Sequence, residues 1–271
     1  KITIKTVGPE TVPPFEQLQP VSAGVFDLLF SHGGYHTGAT GIGGALDAVV
    51  ADPDKRRASG VWDAVDKYYQ DKHNLKLISV PTAPTGFHFL LRKPLDSDGT
   101  WKGRKIRGTQ VYHGIIRALG GSPVVVAPGE IYSSLEKGVL DGLGFAAVGT
   151  IGFKVQEVAP IILRPTFGTV SYMIFANKNA FNKLPADEQK ILLDEGLKLE
   201  RATITRFQQM LGEEDAEMVK KGAQIVQYPK TTQAELNKLY AEEAWKLSFK
   251  GASAKDGERL YELAKSKGVT Y

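Results

Sequence analysis

The longest regular pattern in the chain begins at Leu184-Pro185-Ala186-Asp187 and keeps a helical rhythm to about Lys221. Pro185 and Asp187 suit the first turn of a helix, where a missing N–H costs nothing and a carboxylate faces the positive end of the dipole. At 1.5 Å per residue such a helix reaches ~50 Å, longer than one small domain is wide. Gly196 and Gly212 are the two places where it could bend.

Before that helix, short apolar runs alternate with helical-period segments. Strands are expected at Lys1–Val7, Val25–Phe30, Leu75–Val80, Phe87–Leu91, Lys105–Gly108, Pro123–Val126, Gly138–Gly142 and Ser171–Asn177. Helices are expected over Gly60–Lys72, Tyr112–Leu119 and Ile131–Lys137. In the first of these Val61, Trp62, Val65, Tyr68 and Tyr69 share one face. After the long helix come a strand at Ile225–Tyr228 and helices over Gln233–Phe249 and Gly257–Lys267. Strands and helices alternating at this spacing make an α/β fold with a largely parallel sheet. No internal repeat or low-complexity linker interrupts it.

The chain has 271 residues, 24% of them charged, and a net charge of +4. That is an ordinary globular balance, with enough length for one large domain or two smaller ones. Lys102, Arg104, Lys105 and Arg107 form the single tight basic cluster. A nucleic-acid binder would carry a broader basic stripe with interleaved aromatics, so nucleic acid is not an expected partner. With no cysteine, disulfides, thiolate metal sites and cysteine nucleophiles are excluded. No apolar run approaches the ~20 residues of a membrane span. Lys1-Ile2-Thr3-Ile4-Lys5 alternates like a strand and unlike a signal peptide, so a signal was removed or the chain starts after it.

Chemistry-bearing motifs are few. Ser31–Gly44 is glycine-rich but lacks the Gly-Lys-Ser/Thr ending of a phosphate loop and the Gly-x-Gly-x-x-Gly spacing. It reads as a flexible strand-to-helix loop near a crevice, where Tyr35 could reach a ligand. His32 and His36 have the spacing of helical metal ligands, but glycines surround them and no third ligand is placed. His88 and His113 stand in no motif. No serine sits in a nucleophile elbow, and the pairs Glu213-Glu214 and Glu242-Glu243 read as solvated faces. No metal, cofactor or catalytic set is expected. In Gly103-Arg-Lys-Ile-Arg-Gly108, Arg107 and Lys105 share one strand face. An arginine at a strand end suits a carboxylate, whose two oxygens match the guanidinium fork; a surface basic cluster is the plainer alternative.

Four blocks in order carry a resemblance. They are Trp101-Lys-Gly-Arg-Lys-Ile-Arg107, Ala118-Leu-Gly-Gly-Ser-Pro-Val124, Pro128-Gly-Glu-Ile-Tyr-Ser-Ser-Leu-Glu-Lys-Gly-Val-Leu-Asp-Gly142 and Asn179-Ala-Phe-Asn-Lys-Leu-Pro-Ala-Asp-Glu-Gln189. Together they resemble the DctP family, the solute receptors of tripartite ATP-independent periplasmic (TRAP) transporters, over roughly residues 1 to 250. The resemblance implies a two-lobed periplasmic-binding-protein-like α/β fold of type II, with mixed sheets flanked by helices and the long helix as a spine. Lobe I would take residues 1–86 and 172–210, and lobe II residues 87–171 and 211–271. The family fold also places a strand and a helix ahead of Lys1–Val7. Both are expected to be missing here, with part of the first lobe's ligand surface.

The implied function is a periplasmic receptor that closes on a small organic acid and delivers it to the small and large TRAP membrane subunits. It is not an enzyme. The carboxylate-pairing arginine of the family matches Arg107. Sialic-acid-binding relatives have a second arginine upstream, where this chain has Gly86, Phe87 and His88, with Arg92 nearby. Phe145 stands where many relatives have asparagine, and Gly144-Phe145 also departs from the Glu-Trp of a cation-dependent subgroup, so no metal is implied. Phe167 falls at another cleft-lining position. Tyr35, Phe145 and Phe167 could each be core instead. Gln110 is a polar candidate, and Glu130 belongs to the Gly-Glu-x-Tyr block and is expected to orient its neighbours. The ligand guess is a monocarboxylate with an apolar or aromatic body. The competing readings are an ABC-type periplasmic binding protein and an enzyme on a two-lobed scaffold.

Overall fold

The computed structural model describes residues 3–271. Ten strands form two sheets: β1 (Leu28–His32), β2 (Leu75–Ser79), β3 (Thr82–Ala83), β4 (Phe87–Leu91), β5 (Lys105–Arg107), β6 (Ser122–Val124), β7 (Gly142–Ala146), β8 (Ile161–Arg164), β9 (Val170–Asn177) and β10 (Gln224–Gln227). The α-helices are α1 (Leu18–Ser22), α2 (Ile42–Ala45), α3 (Pro53–Ala58), α4 (Val61–His73), α5 (His113–Ala118), α6 (Ile131–Glu136), α7 (Lys178–Lys183), α8 (Ala186–Lys220), α9 (Gln233–Ser248) and α10 (Ala254–Ser266).

The first sheet is built on β9, which pairs antiparallel with β1, β2 and β3. The period-two pattern of Val-Ser-Tyr-Met-Ile-Phe-Ala-Asn decides which way β9 faces. Met173 and Phe175 enter a core with α4, α9 and α10, while Ile174 packs beside Leu192 and Leu193 of α8. The second sheet runs β10-β8-β4-β7-β5-β6 and is mixed. β5 is parallel to β6 and β7, and β4 is antiparallel to β7 and β8. Apolar clusters cover both of its faces. The expected parallel character thus holds only for part of the second sheet. β9 reverses direction against every neighbour, which makes the first sheet antiparallel.

α8 is one helix of 35 residues. It is tied to the first sheet near its middle. Glu200, 1% exposed, accepts two bonds from Arg57 and one each from the Trp62 indole and the Val80 amide. One turn earlier Gly196 lies against β2, where a Cβ would come 2.4 Å from the Ile78 carbonyl oxygen. Further along, Glu214 and Asp215 reach the second sheet's loops and β8. α9 starts on a capping box between Thr232 and Glu235, which satisfies donors that a helix start leaves open.

Several expectations shift. Residues 3–7 are exposed and belong to neither sheet, and Lys1 and Ile2 lie outside the described residues. A strand without an edge to pair with has nothing to hold it. The stretch expected as a strand at Gly138–Gly142 is mostly a turn closed by Gly138 at φ 75°, and β7 begins where it ends. β8 was not anticipated. α10 packs on α4 and shares the first sheet's core through Leu260 and Ala264. This part of 211–271 thus packs with the first sheet.

Candidate functional site

Arg107 ends β5 and is 1% exposed. Its Nε donates to the Val126 carbonyl at 3.0 Å and its Nη1 to the Gly144 carbonyl at 3.2 Å. Its guanidinium carbon lies 5.4 Å from the centre of the Phe145 ring. Nη2 is buried and has no partner among the described residues. A buried donor left unpaired costs ~1–3 kcal/mol, so the arrangement favours an acceptor brought from outside. Gly144 makes the geometry possible, because a Cβ there would sit 2.8 Å from the rings of Phe89 and Tyr112.

Phe145 is half-buried, packs edge-on against Phe153 at 5.2 Å and faces Arg107. His88 is its cross-strand neighbour. His88 is wholly buried with both ring nitrogens engaged: Nε2 donates to the Thr150 hydroxyl, which donates to the Ala146 carbonyl, and Nδ1 accepts from Arg164. Burial, reinforced by the Arg164 charge, holds its pKa well below the ordinary imidazole value. The ring is neutral and serves as scaffold behind Phe145. Arg164 in turn pairs with Asp215 of α8. The neighbouring Glu214 accepts the Gly149 amide at 2.8 Å, fixing the turn Thr150–Phe153 that carries Phe153.

Tyr35 lies in the glycine-rich stretch, half-buried, edge-on to Phe15 at 5.4 Å and to His32 at 6.2 Å. This stretch was expected to be flexible. It is instead mostly buried, and its glycines are there for close packing. A Cβ on Gly33 would meet the Gly43 carbonyl carbon at 2.1 Å, and one on Gly41 the Leu247 carbonyl oxygen at 2.4 Å. His32 anchors it. Nδ1 accepts the Gly34 amide, and Nε2 donates to Asp47 at 2.7 Å. Asp47, wholly buried, also accepts from the Tyr240 hydroxyl and the Ser171 amide. His36 is buried with neither nitrogen partnered, and burial with its His32 and His73 neighbours pushes its pKa down to about 3. With both His32 nitrogens engaged, the pair does not present two free imidazoles. Among the described residues no three His, Asp or Glu side chains come together to hold a metal ion.

The other candidates separate from Arg107. Phe167 is a core residue, 1% exposed, stacked on Phe89 at 5.2 Å and touching Phe87 and Tyr240. The bridge it makes with Phe87 carries the chain between the sheets and turns its ring into the second core. Arg92 follows β4 at the far end of the sheet, beside Lys93, Arg104 and Asp141. β4 runs antiparallel to β7, so its last residue lies opposite the start of β7 and away from Phe145. Gln110 is exposed. Glu130 is exposed too and is bonded through its backbone: its amide donates to the Ala127 carbonyl and its carbonyl accepts from the Ser133 hydroxyl.

Sequence reading missed Tyr112 and Tyr172. Tyr112 is 3% exposed, its ring wedged between Phe87, Tyr240 and the Gly144 backbone. Tyr172, on β9 opposite His32, stacks on Phe30 and on Phe207 of α8. Burial raises both phenols, and nearby Tyr35 raises them further. Phe145 thus faces Arg107, Tyr112 packs on the Gly144 backbone that Arg107 bonds, and Tyr35 and Tyr172 both meet the His32 ring.

The family model for bacterial extracellular solute-binding protein, family 7 (DctP), matches residues 51–250. A solute-binding protein of Sulfitobacter sp. (strain NAS-14.1) is 28% identical over 141 residues, 51% of this chain and 42% of that protein. The C4-dicarboxylate-binding periplasmic protein DctP of Rhodobacter capsulatus is 30% identical over 143 residues, 52% of this chain and 40% of that one. The chain therefore spans less than half the length of these relatives. Among solved structures, a TRAP periplasmic solute-binding protein from Desulfovibrio salexigens with bound orotic acid has a TM-score of 0.77 at 21% identity, covering 92% of this chain and 81% of that one. The Bordetella pertussis extracytoplasmic solute receptor DctP7, which binds pyroglutamic acid, has a TM-score of 0.76 at 18% identity, covering 93% and 84%. These likenesses establish a TRAP solute-receptor fold, and no helix among the described residues is long and apolar enough to cross a membrane. With its family model matched over most of its length, this chain belongs to the DctP family of bacterial extracellular solute-binding proteins.

Proposed function

We propose that this protein is a periplasmic receptor that captures a small organic acid and hands it to the membrane subunits of a TRAP transporter. The observation that carries the reading is Arg107, buried, fixed by two main-chain carbonyls and left with one free nitrogen. A cation prepared in this way, at the junction of two sheets, recognises a carboxylate once closure removes the screening water. The proposed role is binding without turnover.

The preferred ligand is a monocarboxylate with an apolar or aromatic body. Phe145, backed by Phe153, supplies an apolar wall at the cation, and Tyr35 is the further aromatic candidate. Lobe I comprises the first sheet with α4 and α10, and lobe II the second sheet with α5 and α6. The segments before β4 and after β8 act as hinges, with ligand stabilising the closed form.

The test is a thermal-shift screen of a carboxylic-acid panel on the parent and on Arg107→Ala. Ligand at 100 times Kd adds ~2.7 kcal/mol of stability to a protein that binds it. Aromatic or branched monocarboxylates are expected to raise the parent's melting temperature and leave the variant's unchanged. Equal shifts in both proteins, or a response to dicarboxylates and sugar acids alone, would overturn the assignment.

A further inference from the structure

Arg107 alone does not satisfy a carboxylate. Its Nε and Nη1 are committed to carbonyls, and only Nη2 lacks a partner. A carboxylate has two oxygens, and the second needs a donor of its own. Two residues on, past Gly108, whose amide bonds Val124, stands Thr109. It is 3% exposed, and its hydroxyl is buried without a partner. Its backbone is extended (φ −65°, ψ 171°) and its carbonyl accepts the Tyr112 amide, so the side chain is held and not free to wander. From the first lobe Gly34 closes over it. A Cβ at Gly34 would come 3.0 Å from the Thr109 oxygen, a fit that glycine alone leaves open. Gln110, the neighbouring polar residue, is exposed by comparison.

Resting on the organic-acid reading above, we infer that Thr109 is a ligand-contacting, specificity-determining residue whose hydroxyl donates to the carboxylate oxygen that Arg107 does not take. A threonine hydroxyl buried without a bond is a cost in the empty protein, and it is repaid when an acceptor arrives. Gly34 of the other lobe already covers it here, so the hydroxyl lies where the two lobes meet.

Calorimetric titration of the full chain with 3-phenylpropionate, 4-methylpentanoate and malonate tests this on the parent, Thr109→Val and Thr109→Ser. Valine keeps the shape and removes the donor. The expected result is binding weakened about 10-fold or more in Thr109→Val, as for loss of a hydrogen bond to a charged group, and restored to within ~3-fold in Thr109→Ser. The ligand-free melting temperature of Thr109→Val should equal or exceed the parent's, since an unpaired buried hydroxyl is gone. Parent-like affinity in Thr109→Val, or equal weakening in valine and serine variants, refutes the Thr109 role and leaves the receptor reading standing. Failure of the parent to bind any of the three acids overturns both.

Discussion

Replacing Glu200 by alanine should loosen the long helix from the first lobe by an amount that can be worked out from its contacts. The carboxylate is 1% exposed and accepts four hydrogen bonds: 2.9 and 3.0 Å from Arg57, 3.1 Å from the Trp62 indole and 2.7 Å from the Val80 amide. Alanine leaves the indole N–H and the amide without acceptors inside the protein, at ~1–3 kcal/mol each. Arg57 is 28% exposed along its side chain and recovers water, so its loss adds ~1 kcal/mol or less. These terms span ~2–7 kcal/mol, and breaking a buried pair from one side narrows the expectation to ~3–5 kcal/mol. For a chain of this size that corresponds to a fall of roughly 6–20 °C in melting temperature. Glutamine keeps one carbonyl oxygen for the amide and should lose about half as much. Differential scanning calorimetry of the parent, Glu200→Ala and Glu200→Gln gives the answer. A fall below ~2 °C in Glu200→Ala would show that water replaces the carboxylate at little cost, and the anchor argument would be wrong.

The two glycines of the same helix should behave oppositely. Gly196→Ala drives a Cβ to 2.4 Å from the Ile78 carbonyl oxygen and should destabilise. Gly212→Ala meets nothing within 4 Å and should gain up to ~1 kcal/mol from helix propensity. Chemical denaturation of both variants checks the pair. His36, held at about 3 by burial, refuses a proton that the unfolded chain accepts below the ordinary 6.5. Its contribution is therefore complete above about 6.5 and is lost as pH falls toward 3. Urea midpoints measured across that window should decline less in His36→Leu than in the parent. Phe167→Ala should cost ~3–5 kcal/mol as a core truncation, whereas Phe145→Ala should leave the melting temperature near the parent's and weaken acid binding.

What could be read in advance followed from periodicity. The 35-residue helix α8 is periodic enough to be placed to within a residue or two, and β4 lies where its apolar run puts it. β8 escaped because Ile161–Arg164 is four residues between Pro160 and Pro165, too short to show a period. The stretch Gly138–Gly142 was misplaced because an apolar pair among glycines fits a turn as well as a strand. The place of Arg107 at the end of a strand was legible. The buried polar pairs that join distant segments were not. Asp47 meets the Ser171 amide 124 positions away, and His88 meets Thr150 62 positions away. Such pairs leave no local spacing to detect. Thr109 was passed over for Gln110, since nothing in the residue types says which of two adjacent polar side chains turns inward.

Arg56 lies almost wholly inside the first lobe, and three of its five bonds go to the main-chain carbonyls of Val50, Leu46 and Val49. A carbonyl oxygen belongs to every residue alike. The arginine therefore constrains the path of the chain around it while leaving the identities along that path free to drift. Glu214 at Gly149 and Ile151 works the same way. A substitution opposite such a residue needs no compensating change, so correlated mutation between relatives carries no trace of these contacts. A frame assembled through the backbone can outlast nearly all the side chains it once positioned.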